Sequence, residues 1–195
     1  MLDKILQYDN ELFLYLNTLG SEPWDVLWLT ITNKLFFGPV LGLILFYFLY
    51  KKFGFKSVVF LVFVLALMIT FTDQSTNLFK RVFERTRPCR TEGVMEHMRF
   101  IAVRCGLYGF FSGHASNSMA VAVFGGLLLK PFYKWIIYVL VGISFIVAYS
   151  RIYVGVHYPL DIVCGLIFGA ISGYLFHKLA KYLLKRFQLY KPEPV

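Results

Sequence analysis

Five long apolar runs dominate the pattern of the chain. They cover about residues 35–50, 57–79, 112–130, 134–150 and 160–184. Several charge-free cores hold only about 15 residues, roughly 24 Å of helix, against a hydrocarbon thickness of about 30 Å. We therefore expect the helices to extend into their Lys, Arg and Tyr flanks, whose side chains can reach the membrane surface. The pattern predicts an all-α integral membrane bundle with about five transmembrane helices.

Residues 1–33 follow a different pattern. Apolar positions recur at helical spacing on one side, at Leu2, Ile5, Leu6, Leu12, Phe13 and Leu16. The opposite side is polar, with Asp3, Gln7, Asn10 and Asn17. A break at residues 20–23 precedes Trp24 and Trp28, a residue type favoured at the membrane surface. We predict two short amphipathic interfacial helices rather than an extra spanning hairpin, because neither piece is long enough to cross.

Composition supports a membrane protein over a soluble helical bundle. The 195 residues are 58% hydrophobic, against about 45–50% in soluble domains. Five helices that are apolar on every side would leave a soluble bundle too little polar surface. The formal net charge of +9 could indicate a nucleic-acid partner, but the basic residues flank the apolar runs and form no solvated stripe. We therefore expect the bilayer as a partner and no nucleic acid.

Three polar clusters interrupt the apolar pattern. In chain order they are Lys80-x6-Arg87-Pro88, Ser112-Gly113-His114 and Ser150-Arg151-x5-His157-x3-Asp161. Such residues are costly at membrane depth, which indicates function. Together they supply histidines, a carboxylate, cations and a helix start, a combination that can bind and cleave a phosphate ester.

The third cluster combines a base with a group that can orient it. His157 and Asp161 are four residues apart and would share a face of a continuous helix. Pro159 is suited to open that helix, so His157 falls just before its start and the pairing depends on the geometry of the turn. A carboxylate bonded to one imidazole nitrogen fixes the tautomer and aims the other nitrogen at a substrate. The alternative for Asp161 is a first-turn acid that only stabilises the helix N-terminus.

The other two clusters provide groups for an anion. Ser112 is a natural N-cap, Gly113 allows close approach, and the free N–H groups of a helix start bind anions. His114 is placed there to exchange protons, although a capped helix with an incidental histidine is the alternative. Lys80 could simply reach the membrane surface. Asp73 lies on the same helix face as Lys80, and either pairs with Lys80 or lines the polar end of the bundle.

The three clusters resemble the tripartite signature of the type 2 phosphatidic acid phosphatase family, which also includes vanadium haloperoxidases and glucose-6-phosphatase. That signature reads K-x6-R-P, P-S-G-H and S-R-x5-H-x3-D, and the resemblance spans about residues 57–184. Every polar position matches. Phe111 stands where the family usually has Pro, which concerns the approach to the helix and no reacting atom. The resemblance implies a metal-independent phosphoric ester hydrolase without a cofactor.

The resemblance also implies a role for each site residue. His157 would attack phosphorus and form a phosphohistidine, Asp161 would orient it, and His114 would protonate the leaving oxygen and then activate water. The phosphoryl oxygens would be held by Lys80, Arg87, Ser112, the Gly113 N–H and Arg151. Fixed cations could take the place of a metal ion, since phosphoryl transfer needs mainly positioning and charge stabilisation.

The charge pattern suggests an orientation. Lys and Arg are shared equally between the two ends of a five-span bundle, but only Glu193 of the eleven acidic residues falls opposite the clusters. Two short basic loops and a basic tail are typical of the cytoplasmic side. We therefore expect a multi-pass protein of the bacterial inner membrane with an extracytoplasmic site. One domain, residues 1–195, would comprise interfacial helices (1–33), a transmembrane core (34–186) and a cytoplasmic tail (187–195).

The orientation bears on two cysteines. Cys89 and Cys105 both fall in the loop of residues 81–111, which would face an oxidising compartment. We predict a disulfide between them, worth about 3 kcal/mol for a 15-residue loop in the chain-entropy model. Two free thiols are the alternative.

A site at the edge of the membrane suits a lipid phosphate. Similar bacterial enzymes act on undecaprenyl diphosphate, which we take as the first expectation. The alternatives are phosphatidylglycerophosphate, phosphatidate or lipid A. From another class, the chain could be a non-catalytic lipid-binding or transport protein, but a mere binder needs cations and not two histidines with a carboxylate. The sequence gives no oligomeric state.

Overall fold

The computed structural model describes residues 2–189, which fold as a bundle of helices. The α-helices are α1 (Leu2–Thr18), α2 (Asp25–Thr32), α3 (Phe37–Phe83), α4 (Gly113–Leu129), α5 (Ile136–Tyr153) and α6 (Pro159–Arg186). Within this described part there is no strand, and Thr86 and Tyr108 form one isolated bridge. The predicted all-α class is confirmed. Lys191 and Glu193, which belong to the predicted tail, lie outside the described residues.

Three of the described helices are long and apolar enough to cross a membrane. They are the segments Gly38–Phe83, Ile136–Tyr153 and Pro159–Arg186, and Gly113–Leu129 is a shorter apolar helix. Many of their large apolar side chains are exposed, as expected for a surface that faces lipid. The number of crossings stays a prediction.

Helix α3 reverses its direction at Gly54. This glycine has φ 74° and ψ 170°, a conformation that L-residues with a side chain rarely adopt. Before the bend, Leu45 lies against Gly125 of α4. The ring of Phe48 packs 5.5 Å from that of Tyr133, beyond the end of α4, so this half runs in the same direction as α4. After the bend, the Thr72 hydroxyl bonds the Asn117 side chain near the start of α4, at 2.6 Å. The two halves therefore run antiparallel, and Gly54 forms the predicted loop between the first two apolar runs.

Helices α4 and α6 approach each other closely along a line of glycines. Three of them, four residues apart on α6, face α4: Gly165, Gly169 and Gly173. A Cβ atom on Gly169 would lie only 2.2 Å from the Ser116 carbonyl oxygen. Small residues of this kind let membrane helices pack with their backbones in contact. The Ser112 N–H donates to the Asp161 carbonyl at 3.0 Å, so the two helix starts lie side by side.

Helix α1 docks on the bundle through a face that the sequence pattern did not predict. Asn17, expected on the polar side, is fully buried, whereas Ile5 and Leu12 are each 47% exposed. The Asn17 amide donates to the carbonyls of Ile152 and Tyr153 at 2.9 and 3.0 Å. These carbonyls lie in the last turn of α5, where the Ile152 carbonyl also accepts from the Gly155 N–H, so an amide can bond this helix end where an apolar side chain could not. The predicted polar side of α1 was therefore partly wrong.

The exposed side of α1 nevertheless carries several large apolar side chains. Its exposed large apolar residues recur every three or four positions, at Ile5, Tyr8, Leu12 and Tyr15, and exposed polar residues such as Gln7 lie beside them. Helix α2 packs on α5, since Trp28 lies 5.1 Å from the rings of both Tyr149 and Tyr153. The N-terminal segment thus combines docking on the bundle with exposed apolar side chains, and its position at the membrane interface stays a prediction.

Candidate active site

The three polar clusters lie at helix ends that meet at one end of the bundle. Lys80 falls in the last turn of α3, and Arg151 in the last turn of α5. Helix α4 begins at Gly113, and its N-cap Ser112 accepts a hydrogen bond from the Ala115 N–H at 3.5 Å. Helix α6 begins at Pro159. Both predicted helix starts are confirmed, and the free N–H groups at the start of α4 are available to an anion.

His157 and Asp161 form a buried pair. The Nδ1 atom of His157 lies 3.2 Å from Asp161 Oδ2, and the side chains are 2% and 0% exposed. The Tyr158 N–H donates to the same oxygen at 3.2 Å. Because a carboxylate accepts hydrogen bonds, Nδ1 carries the hydrogen and Nε2 keeps a free lone pair. The geometry is that of an oriented imidazole nucleophile.

The electrostatic surroundings keep this imidazole neutral. Burial lowers the pKa of His157 well below its usual value. Positive charges nearby lower that pKa further; they belong to Arg87, Arg151, Lys80 and Arg85. Protonation is disfavoured both by lost hydration and by the cations. The same cations create a positive electrostatic potential that attracts a phosphate.

Arg87 is held beside the pair by the loop that precedes α4. Its Nε donates to the Tyr108 carbonyl at 3.0 Å. Burial lowers the pKa of Arg87, and the charge of Asp161 opposes that shift. Gly109 makes the approach possible: a Cβ there would lie 3.0 Å from Asp161 Oδ2 and 3.2 Å from Arg87 Cγ. Sequence reasoning missed Gly109, whose only signal is its place shortly before the second cluster.

The end of α2 contacts two other site residues. The Arg151 Nη1 donates to the Thr32 hydroxyl, and His114 Nε2 lies 3.1 Å from the Thr32 carbonyl oxygen. Since a carbonyl only accepts, Nε2 of His114 carries a hydrogen in this contact. Thr32 was missed because no motif marks it. The structure thus brings the N-terminal segment to the site.

Arg85 and Asp9 are further charged residues that sequence reasoning missed. Arg85 donates to Asp161 Oδ1 at 2.8 Å and to Asp9 Oδ2 at 2.6 Å. Asp73, left open between two roles, accepts from the Asn117 side chain at 2.7 Å, one turn below the start of α4. The spacer of the first cluster contains both Arg81 and Arg85, so no signal in the sequence singled out Arg85.

The loop beside the site is closed by two cysteines. Cys89 and Cys105 are paired in the structure, with their Cα atoms 6.3 Å apart. The Arg87 N–H donates to the Leu107 carbonyl at 3.3 Å, so both ends of the loop lie next to Arg87. Within residues 2–189, no group of three or more His, Cys, Asp or Glu side chains could hold a metal ion. Metal independence stays a prediction.

Known proteins provide an independent comparison. The sequence model of the PAP2 superfamily matches residues 57–185. The lipid A 4'-phosphatase of Bacteroides thetaiotaomicron is 36% identical over 197 residues, which cover 100% of this chain and 86% of that protein. The lipid A 4'-phosphatase of Porphyromonas gingivalis is 32% identical over 95% of this chain and 78% of its own length. An undecaprenyl-diphosphatase of Sulfolobus acidocaldarius is 39% identical over only 35% of this chain and 32% of its own.

Two crystal structures share the fold. Aquifex aeolicus LpxE has a TM-score of 0.67 and 27% identity, over 86% of this chain and 93% of that one. A transmembrane PAP2-type phosphatidylglycerolphosphate phosphatase from Bacillus subtilis has a TM-score of 0.72 over 92% of this chain and 87% of that one; its identity is 17%, so it informs on the fold alone. The chain belongs to the PAP2 superfamily and is a membrane lipid phosphatase, a hydrolase of phosphoric esters.

Proposed function

We propose that the enzyme removes a phosphate from the sugar head group of lipid A, at the 4' position. The lipid A 4'-phosphatase of Bacteroides thetaiotaomicron matches the whole chain, including the N-terminal segment that carries Thr32 and Asp9, and that of Porphyromonas gingivalis matches 95% of it. The undecaprenyl-diphosphatase matches about a third of the chain. Undecaprenyl diphosphate, the first expectation from the sequence, therefore becomes the second candidate. Phosphatidylglycerophosphate and phosphatidate are further alternatives.

The contact that carries the chemistry is the 3.2 Å pair of His157 and Asp161. The free Nε2 of His157 attacks phosphorus, and an N–P bond forms while the P–O bond to the sugar breaks. Asp161 orients the imidazole and stabilises the positive charge that develops on it. The product of this step is a phosphohistidine and the dephosphorylated lipid.

His114 handles the protons. Protonated His114 gives the hydrogen on its Nε2 to the leaving oxygen, and then takes a proton from the water that attacks the phosphohistidine. The N–P bond breaks, inorganic phosphate leaves, and both histidines return to their initial states. In the resting site Thr32 accepts from His114 and from Arg151. We infer that phosphoryl oxygens replace Thr32 as acceptors when substrate binds.

The phosphoryl group is held by cations and by a helix start. Lys80, Arg87 and Arg151 lie close enough to His157 for their charges to act on its pKa. The Ser112 and Gly113 backbone at the start of α4 adds oriented N–H groups. Fixed positive charge in a site with little water stabilises the charge that accumulates on phosphorus in the transition state. We therefore expect activity without an added metal ion and without loss in EDTA.

We further propose one domain, residues 1–195, in the bacterial inner membrane with the site on the extracytoplasmic side. The support is charge: among the described residues, acids lie in the N-terminal segment, the outer loop and the site half of the bundle, whereas the other end is basic. A Cys164→Ser chain with Glu92→Cys should react with an impermeant maleimide in intact spheroplasts. Lys130→Cys should react only after lysis, and the reverse result would invert the orientation.

A substrate panel tests the function. Purified enzyme in detergent is given lipid A, undecaprenyl diphosphate, phosphatidylglycerophosphate and phosphatidate, each with EDTA. We expect mass spectrometry to show loss of one phosphate from lipid A at the 4' position, with the highest kcat/KM of the four. Faster turnover of undecaprenyl diphosphate would overturn the proposed substrate.

Matched histidine variants test the site. His157→Ala should abolish phosphate release, a loss of more than about 1,000-fold, and His114→Ala should impair it severely. His177→Ala, at the far end of the same helix as Asp161, is the control and should retain activity. Full activity in His157→Ala would exclude the mechanism.

A further inference from the structure

Asp161 is tied to the N-terminal helix by a chain of charged groups. Arg85 lies between two carboxylates, 2.8 Å from Asp161 Oδ1 and 2.6 Å from Asp9 Oδ2. The Asp161, Asp9 and Arg85 side chains are 0%, 6% and 17% exposed. Neither Asp9 nor Arg85 is a position of the signature, and Asp9 lies outside the residues that the superfamily model matches.

The arrangement is held from several sides. The Arg85 guanidinium carbon lies 4.3 Å from the ring centroid of Tyr158, the neighbour of His157. The ring of Phe13, one turn after Asp9 on α1, packs 5.4 Å from the same tyrosine ring. Asp9 Oδ1 also accepts from the Leu160 N–H at 2.8 Å, in the first turn of α6. Asp9 thus contacts both Arg85 and the helix that carries Asp161.

Stability alone is a poor reason for such a network. Moving charges out of water costs free energy that their attraction often fails to offset, so buried ion pairs contribute little net stability. Apolar contacts such as that of Phe13 would dock α1 at a lower cost. A network that is expensive for the fold and touches a catalytic carboxylate is better explained by its effect on that carboxylate.

Two effects follow from the geometry. Arg85 occupies Oδ1 of Asp161, which leaves Oδ2 for His157 and keeps the carboxylate plane fixed. Asp9 offsets the charge of Arg85, so that the negative charge of Asp161 remains available to the imidazole. Without Asp9, the uncompensated positive charge of Arg85 would weaken the interaction between the Asp161 carboxylate and the imidazole, and His157 would be a weaker nucleophile.

We propose that Asp9 and Arg85 are positioning residues for the phosphatase reaction, and that α1 is thereby a functional part of the active site. Asp9 and Arg85 hold and balance Asp161, and they act on substrate only through Asp161 and His157. Because this builds on the mechanism proposed above, its test compares variants on whichever lipid phosphate the wild-type enzyme cleaves fastest. If the wild-type enzyme does not cleave lipid A, the proposed substrate is wrong, but the variants can still be compared on the lipid phosphate that it does cleave.

The most direct variant is Asp9→Asn. The amide oxygen can still accept from the Leu160 N–H, so docking of α1 is preserved while the charge opposite Arg85 is lost. We expect kcat to fall about 10- to 100-fold, the range typical when a group that hydrogen-bonds and orients a metal-bound histidine is lost. KM should change less than about twofold, and the melting temperature should be nearly unchanged. Glu11→Gln is the matched control: the same chemical change on the same helix, at an exposed residue whose contact is Gln7 at 2.8 Å.

Arg85→Gln provides a readout that damaged packing would not. The charged groups that face His157 come from every surrounding element: Lys80, Arg85, Arg87, His114, Arg151 and Asp161. Removing the Arg85 cation should raise the pKa of His157, so the acid limb of kcat/KM should move to higher pH. In the double variant with Asp9→Asn both charges are gone, and its loss of kcat should be smaller than the product of the single losses.

If Arg85→Gln fails to fold, Arg85→Lys keeps the charge but lacks the two-pronged donor, and should lose kcat without moving the acid limb. The result that overturns the assignment is an Asp9→Asn enzyme as active as Glu11→Gln. A second set of results would also overturn it. In that set, kcat falls only as much as the folded fraction does, the acid limb does not shift in the Arg85 variants, and the losses in the double variant are additive. The network would then be a structural contact only.

Discussion

At the scale of single residues, the two oxygens of Asp161 have separate tasks. Oδ2 accepts from His157 and from the Tyr158 N–H, both at 3.2 Å, while Oδ1 accepts from Arg85 at 2.8 Å. These three bonds, which involve both oxygens, hold the carboxylate in its orientation toward the imidazole. Hydrogen bonds to charged groups are about twice as strong as neutral ones. The direction of the free His157 nitrogen is therefore set before any substrate arrives.

The protonation of His157 leads to a pH prediction. Burial, with the nearby cations adding to it, lowers the pKa of His157 well below its usual value. A histidine whose folded-state pKa is lowered stays neutral as the pH falls through about 6.5, the unperturbed value. We therefore expect the acid limb of kcat/KM, which reports the protonation of His157, to lie below about pH 6. An acid limb at or above pH 6.5 that follows His157 in histidine-selective NMR would contradict this assignment.

Gly109 offers a test of how closely the site is packed. A Cβ at this position would lie 3.0 Å from Asp161 Oδ2 and 3.6 Å from His157 Nδ1. Gly109→Ala should therefore displace the pair by a few tenths of an ångström and lower kcat about tenfold, since a 1 Å misplacement costs on the order of 100-fold. Gly142→Ala, where a Cβ meets no atom within 4 Å, is the control. Equal kcat values for the two enzymes would show that the site tolerates the shift.

Local spacing is what made part of the site predictable. His157 and Asp161 are four residues apart at a helix start, so the sequence predicted their contact subject only to the turn before Pro159. Arg85 and Asp9 are 76 residues apart, as are Arg85 and Asp161, and nothing local links them. Thr32 likewise meets His114 across 82 residues. Contacts of this range depend on how the N-terminal segment docks, which hydrophobic periodicity does not specify.

At the scale of elements, the close packing of α4 and α6 positions the anion site against the nucleophile. A Cβ on Gly169 would meet the Ser116 carbonyl oxygen at 2.2 Å, backbone that cannot move aside without separating the helices. We expect Gly169→Ala to destabilise the fold by roughly 1–3 kcal/mol. The midpoint of thermal unfolding in detergent should fall and activity should fall with it. Gly142→Ala again serves as the control, and an unchanged midpoint in Gly169→Ala would show that the two helices are packed less closely.

The loop between α3 and α4 carries a prediction about cysteine oxidation. Cys89 and Cys105 are paired and Cys164 is free in the structure. Denatured protein treated with iodoacetamide should therefore gain one alkyl group without reductant, and three after reduction. Their difference counts the bridged cysteines. Three alkyl groups without reductant would show that the pair is not oxidised in the purified enzyme.

Helix starts were predictable and helix faces less so. Ser112 and Pro159 are local signals, and α4 and α6 begin where they indicate. Asn17 was expected on the polar side of α1 because amides usually face water. Its partners are carbonyls in the last turn of α5, which the sequence of α1 cannot reveal. A buried amide is stable there because each of its groups is satisfied.

At the scale of the whole molecule, the bundle separates chemistry from anchoring. The helix ends at one end of the bundle supply the site, and among the described residues the opposite end carries lysines such as Lys52, which lies 5.3 Å from the ring centroid of Phe132. Exposed apolar side chains cover the helices between them. A lipid head group can therefore meet the cations while its acyl chains stay in the bilayer. This arrangement explains why so apolar a chain retains so many buried charges at one end.

The central claim is that His157 carries the phosphoryl group during turnover. The direct measurement is a rapid-quench reaction with lipid A that is ³²P-labelled in its phosphate groups, followed by digestion and peptide mapping. We predict a protein-bound label that survives alkali, is lost in acid, maps to His157 and is absent from His157→Ala. Turnover with a label on another residue, or undiminished turnover by His157→Ala, would contradict the account.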